Sequence, residues 1–157
     1  MLETLIVFGA QYAIVLPFAA LVTYAWWQPP QVRWDLLHTV LVALPLAYLL
    51  ARLAGMLYGH PQPFVLEGFE PLVPHEVNNA FPSDHVALTS VVATLALWHN
   101  RLLGIALSVV VALIAASRIL AGLHYPLDVL VGAALGVGVV YASATLLHVF
   151  QRASMRP

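Results

Sequence analysis

Serine, arginine, histidine and aspartate fall within one short stretch, Ser117-Arg118-Ile119-Leu120-Ala121-Gly122-Leu123-His124-Tyr125-Pro126-Leu127-Asp128, where two long apolar segments meet. In hydrocarbon a charged side chain costs about 2.5–3.5 kcal/mol at a helix centre by insertion scales, so charges beside apolar spans mark a site. A second polar cluster, Pro82-Ser83-Asp84-His85, abuts another apolar segment. Together the clusters offer a nucleophile, an acid and a fixed cation. That is equipment for phosphoryl transfer at a membrane.

Each residue has a chemical reading and a plainer competitor. If Pro126 begins a helix, His124 lies just before it and Asp128 in its first turn. The carboxylate then accepts from one imidazole nitrogen and leaves the other free to attack; the competitor is an interfacial histidine beside a helix-capping aspartate. Arg118 ends an apolar run, where its planar fork can neutralise phosphate oxygens, or where it can simply snorkel to the interface. Histidine as a residue type titrates near neutral pH, which makes His85 a candidate general acid for a leaving oxygen. Ser83, with Asp84 beside it, caps the following helix by accepting from its first amides, and those amides form an anion-binding end.

The elements that must position these residues are membrane helices. Hydrophobic residues make up 62% of the chain and charged ones 8%, against about 25% charged in ordinary soluble domains. So few charges cannot solvate a globular surface. The net charge of −1 gives no electrostatic footprint for nucleic acid. The chain has no cysteine, which excludes thiol catalysis and disulfides. Apolar runs at about 4–27, 36–58, 84–98, 102–121 and 126–149 predict an all-α bundle of about five transmembrane helices in one domain, residues 1–157. Met1-Leu2-Glu3 lacks the basic start of a signal peptide, so the first run is expected to remain as a span. Pro17 and Pro45 fall inside the first two runs, where neighbouring helices can re-satisfy freed backbone groups.

Helix ends set the register. Gly122 suits a left-handed cap closing the fourth span, and Pro126 the first turn of the fifth. Both clusters and the long 59–82 connection then share one side. Arg33, Arg101, Arg152 and Arg156 lie opposite, while Glu3, Glu67, Glu70 and Glu76 lie on the cluster side. The positive-inside bias therefore puts the clusters outside the cytoplasm, and Trp26, Trp27, Trp34 and Trp98 form a belt near the cytoplasmic boundary. His38, His99 and His148 read as interfacial. His60 and His75 are further site candidates because their loop faces the site, and Ser117 is one by its place beside Arg118. Gly132 and Gly136 predict close helix packing within the chain.

The motifs resemble those of the type 2 phosphatidic acid phosphatase (PAP2) superfamily, which shares its catalytic core with vanadium haloperoxidases. Ser117, Arg118, His124 and Asp128 match the third motif, Ser-Arg-x5-His-x3-Asp, in full. Pro82, Ser83 and His85 match Pro-Ser-Gly-His, with Asp84 in place of glycine. That variant, preceded by Pro61-x-Pro63-Phe64, Pro74-His75 and Asn79-x-Phe81, resembles the bacterial undecaprenyl-diphosphate phosphatase branch, over about residues 50–135. The resemblance implies a phosphohistidine at His124, oriented by Asp128, with His85 protonating the leaving group. It also implies that Arg118 and Ser83 hold the phosphate and that no metal or other cofactor is needed. The first motif departs: Gln62-Pro63 stands at the usual Arg-Pro, and the chain has no lysine. Gln62 is left to donate through its amide, and Arg52 is the nearest cation.

The expected activity is hydrolysis of a polyprenyl diphosphate, such as undecaprenyl diphosphate, to the monophosphate. It would take place in a bacterial cytoplasmic membrane with the site facing outward. The alternatives are a phospholipid monophosphate phosphatase, a lipid phosphotransferase, or a catalytically weakened lipid-binding or transport protein. The partners implied are the lipid substrate and the bilayer, without nucleic acid.

Overall fold

Pro17 decides how the first apolar run folds. Proline has no amide to offer the carbonyl four residues back, and its ring crowds that carbonyl. The computed structural model, which describes residues 1–154 and side chains through Leu146, accordingly breaks the run at Tyr12–Ile14. Helices α1 (Leu2–Gln11) and α2 (Val15–Trp26) meet there at a 58° bend. Arg152, Arg156 and His148, read above from sequence, lie outside the residues whose side chains are described.

Pro45 has no such effect, and α3 (Pro30–Leu57) runs through it unbroken. The long connection contains a short helix, α4 (Pro63–Glu67), and is followed by α5 (Asp84–His99), α6 (Arg101–Leu120) and α7 (Pro126–Ser154). Helices α3, α6 and α7 are long and apolar enough to cross a membrane, and the bent α1–α2 pair makes a fourth span if taken as one. The protein is therefore a multi-pass, all-helical membrane bundle.

The third expected span takes a different form. At 16 residues, α5 is about 24 Å long at 1.5 Å per residue, short of the ~20 residues a bilayer crossing needs. Its apolar residues face every direction because protein surrounds it: Val86, Val91, Val92, Leu95 and Ala96 are all buried. It packs against α7, α6, α3 and α2. Close approach to α7 depends on Gly132 and Gly136. A Cβ on Gly132 would lie 2.7 Å from the Ser83 carbonyl oxygen, and one on Gly136 would collide with that of Ala87. The expected intrachain glycine packing is thus the α5–α7 seam.

Chain reversal at each helix gathers the ends of α3 and α6 with the starts of α5 and α7. The four tryptophans fall at the opposite end, each at least half exposed. Residues 58–83 fold back over the site end. Pro61 pairs with Asn79 as an isolated bridge, while the Phe64 and Leu72 amides donate to the carbonyls of Gly122 and Ala121. Gly122 has a φ of 78°, as its capping role requires. The Phe69 ring sits where a Cβ would be. The loop is therefore docked on the α6–α7 junction.

Candidate active site

A cavity of about 280 Å³ opens at this end, with Arg118, His124, His85 and His75 in its wall and Arg52 and Asp84 on its α3 and α5 sides. A larger groove of about 500 Å³ between α5, α6 and α7 is lined by apolar and hydroxyl residues, without a titratable group. The titratable groups gather at the smaller cavity.

The bend in the first span helps to place Arg118. The last carbonyls of any helix lack intrahelical partners, and one in the last turn of α1, that of Ala10, accepts from Arg118 Nη1 at 2.9 Å. Arg118 is 4% exposed, and its Nη2 contacts His124 Nε2 at 3.0 Å and His75 Nε2 at 3.3 Å. Arginine has only donors, so both histidine Nε2 atoms must present lone pairs. The ring protons then sit on Nδ1. His124 Nδ1 donates to the Ala80 carbonyl at 2.8 Å, and His75 Nδ1 to that of Glu76 at 3.0 Å.

Asp128 differs from expectation. Its Oδ2 lies 3.7 Å from His124 Nδ1, longer than a hydrogen bond. The Tyr125 amide, exposed at the opening of α7, takes Oδ2 at 2.7 Å instead, and Ala80 takes the His124 proton. The other oxygen, Oδ1, accepts from His60 Nε2 at 2.9 Å. The Asp128 backbone carbonyl accepts from the Ser83 amide at 3.0 Å, tying the start of α7 to that of α5.

Ser83 occupies the N-cap position of α5, yet its side chain makes no capping bond. Its Oγ is fully buried and without a hydrogen-bond partner among the described residues, as is Arg118 Nε. Asp84 lies 4.0 Å from Arg52, a half-exposed pair. Gln62 is not brought into the cavity wall. It is 1% exposed, donates to Asn78 Oδ1 at 2.8 Å, and accepts from the Asn78 amide at 2.9 Å. An uncharged amide can satisfy both backbone and side chain of Asn78, and this latch holds the segment that carries His75. Ser117 also misses the cavity, because its hydroxyl packs where a Gly9 Cβ would stand.

Sequence reasoning missed the carbonyls of Ala10 and Ala80, whose side chains give no signal. It also missed the cross-link by Asn79, which bonds the carbonyls of Gly55 and Phe81 and the amides of His60 and Phe81.

Burial pushes the His124 imidazole below its ordinary pKa. Nearby Asp128 opposes this, while the Arg118 charge adds to it and the Ala80 carbonyl works against it. The ring is therefore neutral at neutral pH, with its lone pair directed at the arginine that would bind an anion. A neutral imidazole lone pair thus faces a buried guanidinium in the cavity wall.

The chain belongs to the PAP2 superfamily, whose model matches residues 36–152. Its relatives include the bacitracin transport permease protein BcrC of Bacillus licheniformis, 34% identical over 87% of this chain and 68% of that protein. The undecaprenyl-diphosphatase BcrC of Bacillus subtilis is 35% identical over 82% of this chain and 66% of its own length. The putative undecaprenyl-diphosphatase YbjG of Escherichia coli is 34% identical over 78% and 62%. The chain thus spans about two thirds of the length of these relatives. Among solved structures, Aquifex aeolicus LpxE superposes with a TM-score of 0.70 at 27% identity, over 90% of this chain and 82% of that one. The PAP2-type phosphatidylglycerolphosphate phosphatase of Bacillus subtilis shares the fold, with a TM-score of 0.60 at 22% identity over 94% and 75%.

Proposed function

We propose that the protein hydrolyses the terminal phosphate of a polyprenyl diphosphate, such as undecaprenyl diphosphate, on the outer face of a bacterial cytoplasmic membrane. The observation that carries this reading is the 3.0 Å contact between Arg118 Nη2 and His124 Nε2, with the opposite ring nitrogen held by Ala80. Substrate phosphate takes the Arg118 Nη2 donor, and His124 Nε2 attacks its phosphorus. The bond from phosphorus to the bridging oxygen breaks, and His85 protonates that oxygen, releasing the lipid monophosphate. Water, deprotonated by His85, then attacks the phosphohistidine and releases inorganic phosphate. Arg118 offsets the charge on the equatorial oxygens in both steps. Ser83 Oγ and Arg118 Nε are both buried without a hydrogen-bond partner among the described residues, but only Arg118 stands in the cavity wall. A pure lipid binder has no need of a neutral, proton-directed imidazole behind an arginine, which disfavours the weakened-protein reading.

Purified protein in detergent should release phosphate from undecaprenyl diphosphate without added metal. Because His124 must be deprotonated to attack, and its pKa lies below the ordinary value of about 6.5, kcat/KM should hold down to a pH below that value and fall only under it. Absence of phosphate release from the lipid diphosphate, with hydrolysis of phospholipid monophosphates intact, would shift the assignment to the alternative substrate.

Orientation is tested separately. The native chain has no cysteine, so Glu70→Cys should react with an impermeant thiol reagent in intact cells and Gln31→Cys should not. The reverse pattern would move the site to the cytoplasmic face.

A further inference from the structure

We infer that His60, on the loop after α3, is a positioning residue that works through Asp128; the inference rests on the nucleophile reading of His124 given above. Asp128 is wholly buried, and an ionised carboxylate out of water needs donors on its oxygens. The Tyr125 amide serves Oδ2 and His60 Nε2 serves Oδ1. His124 Nδ1, 3.7 Å from Oδ2, is close enough to feel the charge but does not hold the carboxylate. The orientation of Asp128 towards the nucleophile therefore depends on His60.

His60 is built for that task. Its amide donates to Asn79 Oδ1 at 3.0 Å, and its carbonyl accepts from the Ala80 amide at 3.0 Å. Its ring is flanked by Tyr58, Phe81 and Tyr125, with centroids 5.7, 6.2 and 5.4 Å away. It stays outside the cavity wall, so it meets substrate only through its partner. The same short segment fixes Ala80, whose carbonyl holds the His124 proton. His60 thus sets both groups that act on the far nitrogen of the nucleophile, one by side chain and one by backbone.

The consequence is specific to the chemical steps. As His124 Nε2 bonds to phosphorus, positive charge develops on the ring, and a fixed carboxylate behind Nδ1 stabilises it. Substrate binding, which uses Arg118, does not involve that charge. His60→Ala should lower kcat about 10- to 100-fold, the scale of losing a hydrogen bond to a charged group, with KM changed less than about threefold. His60→Gln, whose amide nitrogen reaches the same place, should recover most of the loss. Asp128→Asn should lower kcat as well, and adding His60→Ala to it should cost little more, because the two act as one unit.

The test is steady-state hydrolysis of undecaprenyl diphosphate and of p-nitrophenyl phosphate by the purified wild type and these variants, with thermal unfolding recorded for each. Subadditive losses in kcat with recovery by His60→Gln support the inference. Wild-type kcat in His60→Ala overturns it, as do losses that multiply in the double variant or no recovery by glutamine in a folded protein. If the wild type hydrolyses p-nitrophenyl phosphate but not the lipid diphosphate, the substrate reading fails while the positioning role is still decided on the small substrate.

Discussion

His124→Ala should leave a folded protein that binds lipid diphosphate and does not turn it over. The side chain is buried, but its removal frees only Arg118 Nη2, which keeps His75, and the Ala80 carbonyl, which lies beside the cavity. The loss in kcat should be about four orders of magnitude or more, as when a nucleophile is deleted from a covalent mechanism. His85→Ala should behave differently. A general acid contributes roughly 10²–10⁴-fold, and its absence matters least when the leaving group is already acidic. Hydrolysis of p-nitrophenyl phosphate should therefore be much less affected than that of undecaprenyl diphosphate. Equal losses on the two substrates in His85→Ala would remove the proton-donor role.

The second large effect should come from Arg118→Lys, which keeps the charge and discards the fork. Arginine here donates in two directions, to Ala10 on α1 through Nη1 and into the cavity through Nη2. An ammonium on a flexible stem cannot span both with the same geometry. Arginines that stabilise a transferring phosphoryl group are worth about 10³–10⁵ in rate, so kcat/KM should fall by about 10³ while weak phosphate binding persists. Arg118→Ala should go further. It leaves the Ala10 carbonyl without its donor, adding about 1–3 kcal/mol of instability for an unsatisfied buried acceptor, read as an earlier unfolding transition. Activity in Arg118→Lys within tenfold of wild type would mean that charge alone suffices.

Much of the site end was legible because its signals are side-chain signals. Gly122 and Pro126 mark the α6–α7 junction by backbone preference, and that junction puts Arg118, His124 and Asp128 together. The sided distribution of polar clusters likewise places the 58–83 loop over them. What stayed hidden depends on backbone groups and local competition. The break before Pro17 was read as a tolerated proline, so the Ala10 carbonyl that anchors Arg118 had no sequence signal. Ala80 holds the His124 Nδ1 proton through an oxygen every residue possesses. Gln62 stands at a position that resemblance assigns to phosphate, yet an amide can pair with the Asn78 backbone and side chain together, and it is buried in that pairing. Charge at this position would have to leave that latch. The length of α5 was readable as short, but its central place was not, since an all-round apolar helix reads alike whether lipid or protein surrounds it.

The most direct test of the account is trapping of the covalent intermediate. Undecaprenyl diphosphate labelled in its terminal phosphate, mixed with purified enzyme and quenched in alkali within one turnover, should leave label on the protein. That label should be stable to base, labile to acid and located at His124 by peptide mass spectrometry. It should be absent from His124→Ala. Label on another residue, or turnover by His124→Ala at the wild-type rate, would contradict the account at its centre.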